Sequence, residues 1–266
     1  MKKDMIAVLG PRGTFTEIAA RRVFRNSDFI YCDTVNEVFE SVLKNTDFGV
    51  VAIENSLEGS INTTMDCLME YDVKIVREII IDINLCLISS SETSENEITG
   101  IISHPHALAQ ARKFLRKEFP DTKLQRHEST AAAIRELKNL RDYAAIGPKE
   151  TAIEYGLKIL REHIEDAKSQ TRFIVISKKE NSEGKANKTS IIFALKDRPG
   201  ALYHFLGEFA KRDINLTKIE SRPSKRKLGE YLFFIDFEGN LANRIVRDVI
   251  DSIQDKTTFL KILGSY

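Results

Sequence analysis

One pattern recurs four times in the N-terminal part of this 266-residue chain and constrains the fold more than any other feature. A short apolar segment is followed by a turn of glycine, proline or small polar residues, and then by a stretch with helical periodicity. Repeated strand–turn–helix units predict α/β sheets with mainly parallel strands. The four apolar segments are MIAVLG (5–10), DFGVVAIEN (47–55), GIISHP (100–105) and YAAIGP (143–148).

Two longer extended runs accompany these units. VKIVREIIIDINLCLIS (73–89) lies between the second and third unit, and TRFIVIS (171–177) follows the last helical stretch. Both are rich in β-branched residues and are therefore predicted to be strands. We interpret them as segments that cross between two lobes. A cleft between the lobes is then expected, and such interfaces are common ligand sites.

The C-terminal part of the chain is organised differently. It follows the polar segment KKENSEGKANK (178–188), which is typical of a linker. The periodicity beyond it indicates strand, helix, strand, strand, helix and strand, which is the ferredoxin-like order. We therefore predict a two-lobed domain over residues 1–178, a linker over 179–188 and a ferredoxin-like domain over 189–266.

The composition and the N-terminus exclude several classes of protein. A formal net charge of +1 gives no global basic field for a nucleic acid or an anionic membrane surface. No apolar run is long enough to span a bilayer. The N-terminal MKKDMIAVLG lacks the long apolar region of a secretory signal. We expect a cytoplasmic protein with no nucleic-acid partner and no membrane partner.

The residues that could bind a metal ion are poorly spaced for it. Cys32, Cys67 and Cys86 are far apart, and His104 and His106 are two residues apart. Neither spacing matches a zinc motif. We expect buried or half-buried free thiols, no metal and no cofactor.

The turn GPRGTFTE is the first candidate binding site. Thr14 and Glu17 have the spacing of a capping box, so a helix is predicted to begin at Thr14. Gly10 and Gly13 permit a tight turn and close approach of the backbone. Either this is only a well-capped helix, or its N-terminus binds an anion. It is not the G-x-G-x-x-G pattern of a dinucleotide loop.

Two later helix starts carry similar polar groups. Ser103 is predicted to cap a helix in SHPHALAQ, and Gln110, seven residues later, would lie on the same helical face. A second helix is predicted to begin at Ser129 or Thr130 of STAAAI, and its three alanines indicate close packing or a nearby ligand. The alternative is that these four residues bind no ligand and are only helix caps or exposed side chains.

The segment IENSLEGSIN adds a carboxylate and small polar groups. Glu54 follows an apolar strand, so it should be nearly buried and need a partner. Several helix N-termini converging on one cleft would favour a small anion with more than one carboxylate. The candidate bidentate partners for such an anion are Arg12, Arg126 and Arg172.

Thr171 and Arg172 stand at the start of the apolar run FIVI. A polar strand entry in contact with solvent is one interpretation. The other is that Thr171 points into the cleft and acts on a substrate.

Taken in order, GPRGTFTEIAA, GVVAIENSLEGSI, SHPHALAQ, STAAAI, AAIGP and TRFIVIS resemble the prephenate dehydratase family over residues 5–177. DRPGAL (197–202) and ESRP (220–223) resemble the regulatory ACT domain of the same enzymes. The resemblance implies a two-lobed catalytic domain of the periplasmic-binding-protein type (type II), followed by a βαββαβ ACT domain. No helical extension precedes residue 5, so we expect a monofunctional enzyme without a fused chorismate mutase.

The resemblance also implies a reaction and its residues. The family converts prephenate to phenylpyruvate, carbon dioxide and water in L-phenylalanine biosynthesis. The implied catalytic residues are Thr171, Asn55, Ser103 and Gln110, with the Thr171 hydroxyl expected to donate to the departing ring hydroxyl. The expected substrate-binding residues are Gly13, Thr14, Ser56, Gly59, Ser129, Thr130, Arg172 and Phe173.

For the ACT part, the resemblance implies feedback inhibition by L-phenylalanine bound where two ACT domains pair, and hence a homodimer or homotetramer. The expected effector-binding residues are Gly200, Ala201, Leu202, Glu220, Ser221, Arg222 and Pro223. The family often has a tryptophan shortly after ESRP, whereas this chain has SKRKLGEY there and no tryptophan.

Two other functions stay open at this point. An arogenate dehydratase would use the same cleft on a substrate with an amino group in place of the keto group. A non-catalytic amino-acid sensor would use the cleft and the ACT domain only to bind. The presence of Thr171 together with Asn55, Ser103 and Gln110 argues against the sensor.

Overall fold

The computed structural model describes residues 3–90, 92–180, 186–225 and 229–266. Part of the predicted linker, residues 181–185, lies outside these described residues. The strands are β1 (Met5–Leu9), β2 (Asp28–Cys32), β3 (Phe48–Asn55), β4 (Gly59–Ser60), β5 (Lys74–Ile83), β6 (Cys86–Ser89), β7 (Gly100–Ser103), β8 (Lys123–Arg126), β9 (Tyr143–Gly147), β10 (Lys158–Arg161), β11 (Ser169–Ser177), β12 (Lys188–Leu195), β13 (Leu216–Pro223), β14 (Tyr231–Glu238) and β15 (Thr257–Ser265). The α-helices are α1 (Phe15–Val23), α2 (Val35–Lys44), α3 (Asn62–Glu70), α4 (Pro105–Gln110), α5 (Arg112–Glu118), α6 (Thr130–Glu136), α7 (Lys149–Glu154), α8 (Ala201–Ala210) and α9 (Arg244–Gln254).

Over the described residues the strands form three sheets. The first has the order β2-β1-β3-β11-β5, with the short β4 beside β3, and the second has the order β10-β6-β9-β7-β8. Helices α1 to α3 contact the first sheet, and α4, α6 and α7 contact the second. These two layered units are the first and the second lobe, and they confirm the predicted two-lobed arrangement.

The two lobes are joined by two crossings. The chain leaves the first sheet at the end of β5 and enters the second with β6, then returns between β10 and β11. The run 73–89 is therefore two strands in different sheets, whereas TRFIVIS lies wholly in the first sheet and the crossing precedes it. The returning segment is fixed to the second lobe, because the Asp166 carboxylate accepts from the Lys113 N–H at 3.0 Å.

The prediction of mainly parallel sheets is wrong for the strands beside these crossings. In the first sheet β1 is parallel to β2 and β3, but β11 is antiparallel to β3 and β5. In the second sheet β7 is parallel to β8 and β9, but β6 is antiparallel to β9 and β10. A strand that enters from the other lobe arrives from the opposite end, so each sheet is mixed.

The third sheet has the order β13-β14-β12-β15 and confirms the ferredoxin-like element order. Its helix α9 buries Val246, Val249, Ile250 and Ile253 at helical spacing against the sheet. The opposite face of the sheet packs on the first lobe, where Phe234 shares a core with residues of β3 and β11.

The third sheet approaches the first lobe closely at Gly264. This residue has φ +137°, and a Cβ added there would lie 2.4 Å from the Ile75 carbonyl oxygen. Only glycine suits this contact between β15 and β5. None of the helices in the described ranges is both long and apolar enough to cross a membrane. Cys32, Cys67 and Cys86 are buried free thiols, as predicted.

Candidate active site

A cavity of about 970 Å³ lies between the two lobes. The first lobe contributes the ends of β1, β3 and β11 to its wall, and the second lobe contributes α4 and α6. Seven of the residues predicted to form the substrate site line it: Thr14, Asn55, Gln110, Ser129, Thr130, Thr171 and Phe173.

Thr171 and Asn55 are brought together by strand pairing. They lie opposite each other on β11 and β3, and the Asn55 Nδ2 atom donates to Thr171 Oγ1 at 2.8 Å. The register between these strands shifts just beyond this pair, between Arg172 and Phe173. Such irregularities occur next to functional sites, where they change the direction of side chains.

The orientation of the Asn55 amide is fixed by the turn that follows it. Its Oδ1 accepts from the backbone N–H groups of Leu57 at 2.9 Å and Glu58 at 3.2 Å. The amide nitrogen must therefore face Thr171, whose oxygen accepts from it. The Thr171 hydroxyl proton is left free to donate, and Thr171 lines the cavity.

Two histidines at the start of α4 form part of the second-lobe wall. His104 caps the helix, and its Nδ1 accepts from the His106 N–H at 3.3 Å. Burial lowers the pKa of His104, with a further lowering from His106 that Glu58 opposes. His104 is therefore neutral at pH 7, with its proton on Nε2. His106 Nδ1 lies 2.8 Å from Glu58 on the opposite lobe.

The glycine-containing turn before α1 is held by a buried carboxylate. Glu17 is 2% exposed, and its Oε2 accepts from the Gly13 N–H at 2.7 Å. Its Oε1 accepts from Arg21 Nε at 2.7 Å and from the Tyr31 hydroxyl at 2.8 Å. Burial and this bond to Glu17 raise the pKa of Tyr31 to about 12. Thr14 caps α1 as predicted. The capping box is incomplete, however, because the Glu17 carboxylate accepts from the backbone N–H of Gly13 and not from that of Thr14.

This turn also makes a direct contact with the second lobe. The Thr151 hydroxyl of α7 donates to the Gly13 carbonyl oxygen at 2.6 Å, and Arg12 pairs with Glu154 of the same helix. Gly13 has φ +87°, and a Cβ added there would lie 2.6 Å from Thr151 Cγ2. Both the backbone conformation and the contact between lobes therefore require glycine at this position.

We expect Gly13→Ala to destabilise the protein by about 2–6 kcal/mol, since a left-handed alanine and the clash with Thr151 each cost about 1–3 kcal/mol. Adding Thr151→Ser should recover the part due to the clash, because serine lacks Cγ2 and keeps the hydroxyl. The measurement is the free energy of unfolding in urea. Gly156→Ala is the matched control, with φ +66° and nothing within 4 Å of the added Cβ. Equal losses for Gly13→Ala and Gly156→Ala would contradict the contact.

Several predicted site residues lie outside the cavity wall. Gly13 faces a smaller cavity of about 380 Å³ behind the turn. Ser56 is exposed in the turn between β3 and β4, and Gly59 is exposed as the first residue of β4. Ser56 is tied to the strand of Thr171, because its hydroxyl accepts from the Gln170 N–H at 2.9 Å.

The prediction that Ser103 caps a helix is wrong. Ser103 is the last residue of β7, is fully buried, and donates to the Ile146 carbonyl oxygen of the neighbouring β9 at 2.6 Å. His104 takes the cap position instead. Ser103 and Gln110 therefore do not share a helical face, and only Gln110 lines the cavity.

Of the three arginines proposed as anion partners, only Arg12 lines the cavity. Arg126 is exposed at the end of the edge strand β8. Arg172 points to the opposite face of the first sheet, because successive side chains alternate along a strand. There it pairs with Asp236 of the third sheet at 2.5 Å. Glu54 has the expected partner in Lys218, at 2.9 Å, but is only half-buried.

Sequence reasoning missed several acidic and basic residues of the cavity wall. They are Asp33, Glu58, His104, His106, Glu128 and Arg135. The two histidines and Glu128 lie at or just before the start of predicted helices that follow strands. This position at a strand end could have indicated that they line the cleft. Arg135 lies in the last turn of α6 and gave no such signal.

The predicted effector residues lie at one end of the third sheet. Gly200 caps α8 with φ +78°, and Ala201 and Leu202 form the first turn of that helix. Residues 220–223 end the edge strand β13, with β14 between them and β12. Arg222 pairs with Asp66 of the first lobe at 3.0 Å. The Ser60 hydroxyl donates to Glu220 at 3.2 Å.

Comparisons with known proteins agree with this architecture. A family model described as prephenate dehydratase matches residues 6–181, and one described as ACT domain matches residues 189–253. A prephenate dehydratase of Methanocaldococcus jannaschii is 46% identical over the whole chain and 98% of its own length. A bifunctional chorismate mutase/prephenate dehydratase of Aquifex aeolicus is 44% identical over the whole chain, which covers 74% of that protein.

A solved structure described as a prephenate dehydratase in complex with L-Phe, from Arthrobacter aurescens, has a TM-score of 0.89 and 34% identity. It matches 98% of this chain, which covers 89% of it. An arogenate dehydratase/prephenate dehydratase of Arabidopsis thaliana is 35% identical over 98% of this chain and 72% of its own length. The predicted two-lobed fold with a C-terminal ACT domain is confirmed.

Proposed function

Because the chain belongs to the prephenate dehydratase family, we propose that it converts prephenate to phenylpyruvate, carbon dioxide and water in L-phenylalanine biosynthesis. The observation that carries this proposal is the hydrogen bond from Asn55 to Thr171 at the cavity wall. It leaves the Thr171 hydroxyl proton with no acceptor among the described residues. A donor of this kind suits a reaction in which an oxygen leaves with developing negative charge.

The proposed mechanism assigns the leaving group to Thr171. The ring of prephenate becomes aromatic when its carboxylate leaves as carbon dioxide and its hydroxyl leaves from the opposite carbon. A threonine hydroxyl is too weak an acid to transfer a proton outright at neutral pH. Thr171 therefore stabilises the departing oxygen by a hydrogen bond, and water in the open cleft supplies the proton. Gln110, Ser129 and Thr130 contact and orient the dianion from the facing wall.

The same proposal includes feedback inhibition by L-phenylalanine. The ACT match and the phenylalanine complex of the Arthrobacter relative support it. Residues 220–223 contact the segment 60–66, which follows Asn55 within the first lobe. An effector bound at β13 would thus act on the turn that orients the Asn55 amide. We propose that two chains pair through their ACT domains to complete this site, and that the enzyme acts in the cytoplasm.

The test is phenylpyruvate formation by the purified protein given prephenate, with and without L-phenylalanine. Turnover that L-phenylalanine suppresses is the expected result. Turnover without suppression would remove the feedback proposal and keep the reaction. Well-folded protein without turnover on prephenate would remove the reaction.

An arogenate dehydratase is the second candidate function, and one observation favours it. Glu128 lines the cavity, and its carboxylate has no ion-pair or hydrogen-bond partner among the described residues. Such a carboxylate suits the ammonium group that arogenate carries in place of the keto oxygen of prephenate. The assay is therefore run with both substrates, and the larger kcat/KM identifies the natural one. If the protein turns over neither substrate, a non-catalytic amino-acid sensor is the remaining candidate function.

We expect Asn55→Asp to be at least about 10-fold less active than Asn55→Ala. The amide of Asn55 donates to the Thr171 oxygen, whereas the carboxylate introduced by Asn55→Asp would accept a hydrogen bond from the Thr171 hydroxyl. A hydrogen bond to a charged acceptor would hold that proton away from the substrate, at a cost of at least about a factor of ten in rate. Asn55→Ala removes the orienting bond and leaves the proton free. The measurement is kcat at saturating prephenate for both variants. Equal activity would show that the direction of the Asn55–Thr171 bond is unimportant.

A further inference from the structure

Helix α6 carries a cation in the cavity wall that the roles assigned above do not use. Arg135 lies in the last turn of α6 and lines the cavity between the lobes. Its guanidinium has no hydrogen-bond or ion-pair partner among the described residues. Glu128 lies just before the same helix, but no ion pair joins it to Arg135 among the described residues.

The other basic residues of the wall do not offer a free positive charge in the same way. Arg12 pairs with Glu154, and His106 pairs with Glu58. His104 is neutral because burial lowers its pKa. Arg12 and Arg135 are the two arginines in the cavity wall of the described chain. Of these, Arg135 can bind an anion without breaking an existing ion pair.

The chemistry of the substrate indicates which anion this is. An arginine fork binds a carboxylate through two parallel hydrogen bonds. Prephenate has two carboxylates, of which the ring carboxylate must leave as neutral carbon dioxide. An ion pair with that group would stabilise the charge that the reaction removes. The side-chain carboxylate keeps its charge throughout and survives in phenylpyruvate.

We propose that Arg135 binds the side-chain carboxylate of the substrate, an inference that rests on the proposed function. The side chain is attached to the ring carbon opposite the hydroxyl. Arg135 belongs to the second lobe and Thr171 to the first. Binding at Arg135 therefore holds the substrate across the cleft, with its hydroxyl end toward Thr171. The pair is the same in the ground state and the transition state, so its loss acts on KM and leaves kcat nearly unchanged.

The experiment compares Arg135→Gln with Arg126→Gln, which makes the same charge change at an exposed arginine outside the cavity. Arg135→Gln is expected to raise KM for prephenate about 10- to 100-fold and to change kcat by less than about 3-fold. Arg135→Lys keeps the charge without the fork and should fall between wild type and Arg135→Gln. Arg126→Gln should match wild type.

A second readout does not depend on turnover. Phenylpyruvate is titrated into each protein by calorimetry, and its dissociation constant should rise for Arg135→Gln by a factor similar to that of KM. If wild type is active and Arg135→Gln equals Arg126→Gln in KM and phenylpyruvate affinity, the Arg135 proposal is overturned and the reaction stands. If wild type turns over neither prephenate nor arogenate, the proposed function fails. A phenylpyruvate affinity that Arg135→Gln alone weakens would still support the carboxylate site.

Discussion

Thr171→Val is expected to lower kcat for prephenate about 100- to 1,000-fold, the loss typical of one donor to a developing oxyanion. Valine has nearly the same shape as threonine, and Thr171 is only 8% exposed, so the change is confined to the hydroxyl. The cost to stability should stay below about 2 kcal/mol, mainly because Asn55 loses its acceptor. The measurements are kcat by phenylpyruvate formation and the free energy of unfolding in urea.

Thr171→Ser is the matched control, because it keeps the hydroxyl and removes only a methyl group. Its kcat should stay within about 10-fold of wild type, since the rotamer of serine is less restricted than that of threonine. Loss of activity in both variants alike would point to packing at this position. Activity of Thr171→Val near that of wild type would remove Thr171 from the mechanism.

The face of β11 that lines the cleft was only partly predictable from the sequence. Alternation along a strand places Thr171 and Phe173 on one side and Arg172 on the other. It does not say which side is the cleft, because the third sheet covers the opposite side of the first lobe. Arg172, which the resemblance implied would bind substrate, instead contacts Asp236 and Tyr266 of the third sheet.

Strands with a buried alternating or continuous apolar pattern were predicted well, whereas the exposed edge strands β8 and β10 of the second sheet were not predicted. The central β7 is buried at all four residues, whereas β8 and β10 at the sheet edges bury none fully. Without a buried face these segments lack the periodic signal of a strand. Ser103 shows a related ambiguity, since serine at a strand end before a proline-started helix has the composition of a helix cap. The neighbouring strand β9 decides the outcome by accepting its hydrogen bond.

A second large effect is expected at the contact between the first lobe and the third sheet. Arg172 is 11% exposed, with Nη1 2.5 Å from Asp236 Oδ2 and Nη2 donating to the Tyr266 hydroxyl at 2.7 Å. Its Nε lies 2.8 Å from Glu78 as an ion pair without a hydrogen bond. Burial acts to lower the pKa of Arg172, but Asp236, Tyr266 and Glu78 together raise it above its usual value. The guanidinium is therefore always charged, and it pairs with Glu54 and Glu78 of the first lobe as well as with Asp236 of the third sheet.

Arg172→Met should destabilise the protein by about 3–5 kcal/mol, the cost of leaving buried charges without their partner. Glu78 keeps Lys188 at 2.7 Å, so most of the penalty falls on Asp236, whose side chain is 8% exposed. The double variant Arg172→Met/Asp236→Leu removes both charges and should recover most of the loss, since apolar replacement of a buried pair is often neutral. Urea unfolding of the wild type, both single variants and the double variant gives the coupling energy. Independent, additive losses would show that the pair does not hold the third sheet to the first lobe.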